Sequence, residues 1–204
     1  MPENKEIAAI VLAAGFSKRF GSNKLLHPIT LNEVTLPLAA MSLLPWTKVF
    51  GKVTVVTQPN AENLINQIKA SLGKQRSDAL HFVVCEDAVS GMAASLACGV
   101  RANCNAPGWL IGLADMPSLP AAAIDDVRHS LIHGAKLAAP YCADKRGHPV
   151  GFASGYLEEL LSLKGDEGAK KILERDKADL MKIQINDIGI LADVDTPRDV
   201  NNLR

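Results

Sequence analysis

A net charge is the first thing this sequence lacks: Lys plus Arg and Asp plus Glu stand at 22 each in 204 residues. No overall positive field draws the chain to nucleic acid, although local charge can still hold a nucleotide. No apolar stretch is long enough to span a bilayer, and Met1-Pro2-Glu3-Asn4-Lys5-Glu6 lacks the basic start and apolar run of a signal peptide. The expectation is a cytoplasmic protein without a membrane partner. Cys85, Cys98, Cys104 and Cys142 form no C-x-x-C pair and no zinc-like spacing, so reduced, mostly buried thiols are expected. His129 and His133 stand four apart, as a zinc pair would, but the Glu a zincin carries after the first His is Ser130 here. Two common phosphate-binding signatures are missing as well. There is no Gly-x-x-x-x-Gly-Lys-Ser/Thr loop and no Gly-x-Gly-x-x-Gly fingerprint, which leaves a nicotinamide-dependent oxidoreductase without support.

What is there is a chain with 48% hydrophobic residues, enough for a well-filled core and of a length that suits one α/β domain over residues 1–204. Its organising stretch runs from Ile7 to Lys24. Ala8-Ala9-Ile10-Val11-Leu12 is an unbroken apolar run, as expected of a strand covered on both faces in a parallel sheet. It stops at Ala13-Ala14-Gly15. The next nine residues, Phe16 to Lys24, carry Ser17, Gly21 and the cations Lys18, Arg19 and Lys24. Small residues let backbone N–H groups approach an anion, and a following helix N-terminus would add a favourable dipole.

Further along, Leu25 to Leu36 has a polar middle, and Pro37 to Leu44 reads as a helix with proline near its first turn. Lys52 to Thr57 is a short β-branched strand, Gln58-Pro59-Asn60 a turn, and Asn60 a cap for an amphipathic helix from Ala61 to Leu72. Leu80 to Cys85 is a third strand. This alternation predicts parallel β-α-β units with helices on both sheet faces. Gly91 to Val100 reads as a small-residue helix that permits close approach of a ligand or tight packing on the sheet. Trp109 to Leu113 is a strand that leads to a lone carboxylate, Asp115, at the edge where open α/β sheets bind ligands. Alone, Asp115 could simply cap the turn before Pro117. Beside a phosphate-holding loop, a metal–triphosphate site explains it better.

In the remainder, Pro120 opens a helix that runs to about His133 and is closed by Gly134, and Leu137 to Tyr141 is strand-like. Asp144-Lys145-Arg146-Gly147 is a polar turn, followed by Gly147-His148-Pro149-Val150-Gly151-Phe152. Tyr156 to Leu163 is helical, Gly165-Asp166-Glu167-Gly168-Ala169 supplies a glycine-rich helix start with an acid in its first turn, and Met181 to Ile185 alternates like an edge strand. Thr196 is a good N-cap with Pro197 at the first helical position, so Asp195 projects from the loop before a helix, with Asp193 two residues back.

The string Leu12-Ala13-Ala14-Gly15-x-Ser17-x-Arg19-x-Gly21-x-x-Lys24 resembles the signature of nucleotidyltransferases of the molybdenum-cofactor group. Five further elements match in order: Gly91-Met92-x-x-Ser95-Leu96, Leu113-Ala114-Asp115-Met116-Pro117, Gly147-His148-Pro149-Val150, Gly165-Asp166-x-Gly168-Ala169 and Asp193-Val194-Asp195-Thr196-Pro197. The chain thus resembles the molybdenum-cofactor cytidylyltransferase family. The resemblance implies a Rossmann-like three-layer α/β/α sandwich of the nucleotide-diphospho-sugar transferase type. It implies transfer of CMP from CTP to the terminal phosphate of molybdopterin, with release of pyrophosphate and later delivery to a recipient molybdoenzyme.

By the same resemblance, Leu12, Ala13, Ala14, Gly15, Ser17, Arg19, Lys24, Gly91, Met92 and Ser95 bind the nucleotide. Asp115 and Asp195 share Mg²⁺, or Mn²⁺, and Asp193 is a second candidate for the ligand role. His148 and Asp166 lie on the acceptor side, and Lys170 stands where the family has Arg, which removes a planar bidentate phosphate contact. Ala14 points to CTP, since Leu-Ala-Gly-Gly accompanies GTP in that group. Arg19, Lys24 and Asp115 are the expected catalytic residues: the cations would neutralise the triphosphate and the acid would hold the ion. Guanylyl transfer to the same cofactor, transfer to a sugar or polyol phosphate, and a non-catalytic cofactor carrier remain as alternatives.

Overall fold

The apolar run after Ile7 forms β1 (Ala8–Ala13), and its side chains alternate between two cores. Ala9, Val11 and Ala13 enter one; Ile10, Leu12 and Ala14 enter the other. That double burial explains why the sequence shows no polar alternation there. The computed structural model describes residues 6–17, 19–166, 168–201 and 203, so Lys18, Glu167 and the first five residues lie outside the description.

After β1 come a hairpin of β2 (Pro28–Leu31) and β3 (Val34–Pro37), α1 (Leu38–Val49), β4 (Val53–Thr57), α2 (Glu62–Ser77, interrupted at Gly73) and β5 (Leu80–Val84). The chain continues with α3 (Met92–Arg101), β6 (Gly108–Leu113), α4 (Ala121–Ile132), β7 (Leu137–Cys142), the two-residue β8 (Lys145–Arg146) and β9 (Val150–Ala153). It ends with α5 (Leu157–Ser162), α6 (Lys170–Arg175), β10 (Leu180–Gln184) and α7 (Pro197–Val200). The main sheet runs β10-β7-β9-β6-β1-β4-β5, with β8 paired to β7. β1, β4, β5 and β6 are parallel, as are β7 and β10; β9 alone lies antiparallel between β6 and β7.

Helices cover both faces. Leu43 and Trp46 of α1, Ile68 of α2 and Ile124 and Val127 of α4 fill one core, while Leu96 and Val100 of α3, Leu160 of α5 and Ile172 of α6 fill the other. The result is the three-layer, mostly parallel arrangement expected. Among the described residues, no helix is long and apolar enough to cross a membrane.

Several local expectations differ from the structure, each for a physical reason. The segment at residues 25–36 is a hairpin whose turn residues Asn32 and Glu33 both take positive φ, 49° and 66°, the twist a two-residue turn needs. Helix α1 continues through Pro45 to Val49. An interior proline costs about 3 kcal/mol, but burial of Leu43 and Trp46, both 0% exposed, offsets it at roughly 1.5–3 kcal/mol per side chain. Asn60 does not cap α2: it turns the chain at φ 59°, and Ala61 precedes the helix without a side-chain cap. Helix α6 begins only at Lys170, so Asp166 is not in a first helical turn, and Glu167 lies outside the described residues. Only Cys85 of the four free cysteines is buried; Cys104 is exposed in the turn after α3.

Candidate active site

Both anchors of the site leave the same edge of the sheet. β1 and β6 are adjacent and parallel, with Leu12 opposite Leu113, so the loop from Ala14 to Lys24 and the loop carrying Asp115 emerge side by side. The Ala114 N–H donates to the Leu12 carbonyl at 3.0 Å and fixes their spacing.

No α-helix follows the first loop, so the expected helix dipole is absent there. The chain instead makes a three-residue 3₁₀ turn, Lys24–Leu26, capped by the Asn23 side chain accepting from the Leu25 N–H at 3.2 Å. Ser17, at φ 51°, accepts the Lys24 N–H through its Oγ at 3.1 Å. A left-handed non-glycine residue of this kind is strained and held only by its surroundings, as is common at ligand sites. No protein atom lies within 4 Å of where a Cβ on Gly15 would stand. Its missing side chain leaves room for a ligand against the backbone.

The C-terminal segment closes the site from the far side. Phe20, Ile29, Leu38 and Met41 pack around Val194, which is 0% exposed, and the Val194 N–H donates to the Asp115 carbonyl at 2.9 Å. Thr196 stands at the expected N-cap of α7, and a capping box forms there: Asp199 Oδ2 accepts from the N–H groups of Asp195 and Thr196, at 3.0 and 2.7 Å, and from the Thr196 hydroxyl at 2.9 Å. These bonds aim Asp195 back at the first loop.

Lys24 sits at the convergence. Its Nζ donates to Asp115 Oδ2 at 2.7 Å, to the Val194 carbonyl at 2.8 Å and to Asp195 Oδ1 at 3.1 Å. Arg19, largely exposed, pairs with the other oxygen of Asp195 at 2.6 Å. Burial works against the Lys24 ammonium, but the Asp115 and Asp195 carboxylates outweigh it and hold its pKa above the ordinary lysine value. Burial pushes the Asp115 carboxyl above the usual carboxylate range, Lys24 opposes this, and Asp193 adds to it.

These groups line a cleft of about 410 Å³. Leu12, Ala13, Ala14, Gly15, Ser17, Arg19 and Lys24 form one wall, Gly91, Met92 and Ser95 at the start of α3 form the other, and Asp115, Asp166 and Asp195 complete it. Gly91 has φ 112°, and a Cβ there would meet Asp166 and stand 2.6 Å from the Gly165 carbonyl. That carbonyl accepts the Ala93 N–H at 3.0 Å, which docks the 165–166 loop on α3.

Three residues that the sequence singled out lie apart from the cleft lining. His148 does not line it: its N–H donates to the Ile190 carbonyl at 2.9 Å, and its Nδ1 is buried without a partner. Burial lowers the pKa of this imidazole, so it is neutral at pH 7. Lys170 pairs with Glu174 at 3.7 Å on the surface of α6. Asp193 is exposed and outside the cleft lining, so of the two C-terminal acids it is Asp195 that meets Asp115 at a common cation. His129 and His133 are tied by a bond of 2.8 Å from the His133 ring to the His129 carbonyl.

The structure adds residues that sequence reasoning passed over. Phe16 and Val89, 49% and 80% exposed, join the expected Met92 in giving the cleft an apolar rim. Val89 belongs to a short turn that follows β5 at the ligand-binding edge, a position that could have flagged it. The Val194 carbonyl, as a backbone group, carries no signal in the sequence.

A divalent cation fits this donor set. Asp115 and Asp195 already converge on one positive group, and Asp115 Oδ1 is buried without a partner. Among the described residues no group of three His, Cys, Asp or Glu side chains could hold an ion. Two carboxylates with the rest of the shell from phosphate and water is the usual magnesium pattern.

Comparison with known proteins identifies the family and the fold. The chain is 30% identical over 206 residues to the purine catabolism protein PucB of Bacillus subtilis (strain 168), covering 97% of this chain and 96% of that protein. The crystal structure of an Rv0371c homologue from Mycobacterium sp. strain JC1 superposes with a TM-score of 0.77 at 24% identity, over 96% of this chain and 93% of that one. Rv0371c of Mycobacterium tuberculosis H37Rv, solved as a complex with manganese, superposes at 0.69 with 20% identity over 97% of each chain. Residues 9–180 match the MobA-like NTP transferase domain, and with that span and a relative similar along nearly its whole length, the chain belongs to this nucleotidyltransferase family.

Proposed function

We propose that this nucleotidyltransferase moves CMP from CTP onto the terminal phosphate of molybdopterin and releases pyrophosphate. One observation carries the reading: Lys24, Asp115 and Asp195, from three distant parts of the chain, meet at the edge of a cleft lined by the Ala14–Gly15 loop.

An acceptor phosphate is already an anionic nucleophile at neutral pH, so no general base is required. The obstacles are charge repulsion and alignment. Lys24 and Arg19 reach the cleft from the loop that would bed the triphosphate, and would neutralise it and the departing pyrophosphate. Backbone N–H groups around Gly15 to Ser17 would complete the cradle. Asp115 and Asp195 would hold Mg²⁺ or Mn²⁺, which would supply positive charge to offset repulsion between the phosphates. The manganese complex of a structural neighbour supports a divalent ion. Ala14 lines the cleft and favours cytidine by the family pattern.

The test is pyrophosphate release from CTP and from GTP with purified molybdopterin as acceptor. CTP-dependent release is the expected result. Release from GTP alone would move the reading to guanylyl transfer. Cofactor binding with no pyrophosphate from either nucleotide would make the protein a carrier.

A further inference from the structure

Lys24 occupies the place a shared cation would take. Its Nζ has Asp115 Oδ2 at 2.7 Å, the Val194 carbonyl at 2.8 Å and Asp195 Oδ1 at 3.1 Å. One ammonium therefore bridges an oxygen of each acid, while Asp115 Oδ1 stays buried without a partner. Arg19 covers the remaining Asp195 oxygen at 2.6 Å. In the free protein, the two cations suited to a triphosphate and the two acids suited to a metal ion are each other's partners.

An ammonium and a divalent ion cannot hold the same oxygens, because like charges in contact repel strongly in a partly buried site. Two carboxylates also leave most of an ion's shell empty, and among the described residues no third acid, His or Cys joins them. Substrate phosphate must supply part of the remainder.

We propose that Lys24 is a displaceable stand-in for the metal ion, and that the ion and the nucleoside triphosphate enter the cleft together, each releasing the groups the other needs. The proposal rests on the nucleotidyl-transfer reading above. A triphosphate that draws off Lys24 and Arg19 frees Asp115 and Asp195 for the ion. An ion that takes the acids frees the two cations for phosphate. Either ligand alone must break ion pairs and leave charges unmatched. Thermodynamic linkage makes the assistance mutual.

The experiment follows Mn²⁺ binding by electron paramagnetic resonance without nucleotide, and binding of α,β-methylene CTP and GTP by calorimetry with and without saturating Mn²⁺. The wild type is expected to bind Mn²⁺ alone weakly, and Mn²⁺ is expected to tighten analogue binding by roughly ten- to a hundredfold. Lys24→Met should bind Mn²⁺ alone roughly tenfold more tightly than wild type and lose most of that coupling. Arg19→Gln, at an exposed position that does not threaten the fold, should shift Mn²⁺ affinity the same way by less, and carries the test should Lys24→Met not fold. Nucleotide-free Mn²⁺ binding in the wild type as tight as binding with the analogue would overturn the proposal, as would unchanged Mn²⁺ affinity in the variants. Pyrophosphate release from the same wild-type preparation reads the other question. An active enzyme that binds Mn²⁺ tightly alone refutes only the stand-in role, whereas no release from any nucleotide refutes nucleotidyl transfer.

Discussion

Lys24 and Asp115 meet at 2.7 Å although 91 positions separate them in the chain. The contact is set by strand register: β1 and β6 run parallel side by side, so the residues that follow them leave at the same height. The backbone therefore keeps the two residues neighbours, whichever partner either side chain holds at a given moment.

Asp115→Asn tests the acid. Lys24 keeps Asp195 and the Val194 carbonyl, so the fold should persist, with a loss of about 2 kcal/mol for weakening one charged hydrogen bond. Turnover should fall at least roughly a hundredfold, the scale of losing one electrostatic group at a reacting centre. Circular dichroism and pyrophosphate release check the two halves; full activity would remove Asp115 from the machinery.

Arg19→Ala and Lys24→Ala should separate surface from buried charge. Arg19 is 76% exposed at its side chain and Lys24 only 10%. Loss of the exposed pair should change stability by under about 1 kcal/mol, while Lys24→Ala strands two acids and should cost about 3–5 kcal/mol. Both should lower kcat/KM for the triphosphate, which denaturant titration and steady-state kinetics can measure side by side.

Two alanines on one helix give a contrast of position. At Gly91 a Cβ would need an unfavourable φ of 112° and would collide with the 165–166 loop; at Gly99 it would stand 2.6 Å from Ile10 Cγ2 in the core. Each should cost about 1–3 kcal/mol. Only Gly91→Ala should raise KM for the nucleotide, because only there does the displaced neighbour form part of the cleft.

Acid titration should expose a cluster far from the site. Arg175 holds the Asp176 carboxyl down to about 2 from an ordinary 3.8, helped by the Tyr156 hydroxyl, which donates at 3.0 Å. Since the folded pKa lies below the unfolded one, the stabilisation is complete above the ordinary value and disappears as pH falls through about 2. Asp176→Asn should lower the urea midpoint near neutral pH, and the difference from wild type should close in strong acid.

The layers were legible because burial leaves a periodic trace. Strands buried on both faces, such as Ala8–Ala13 and Val53–Thr57, read as apolar runs, and the apolar stripe of Leu64, Ile68 and Leu72 marks α2. The loop after β1 and the carboxylate after β6 were legible from their own composition and placement, while Gly91, Met92, Ser95 and Asp195 were marked by the family resemblance. What escaped was decided by distant partners. Nothing near Pro45 says that the helix continues past it, since its support is a core built from other elements. His148 stood in a recognisable string, yet its ring is buried away from the cleft lining. The Val194 carbonyl became a Lys24 partner through packing around Phe20, a contact between residues at opposite ends of the chain.

β1 has a paired neighbour on each side, β4 and β6, and so presents no open edge to solvent. Its amides should be among the slowest in the molecule to exchange with deuterium, because they open only when the sheet itself comes apart. Turnover can therefore rearrange the tips of Arg19 and Lys24 without loosening their root, and the alignment of one phosphate against another is inherited from a strand tied down along both edges.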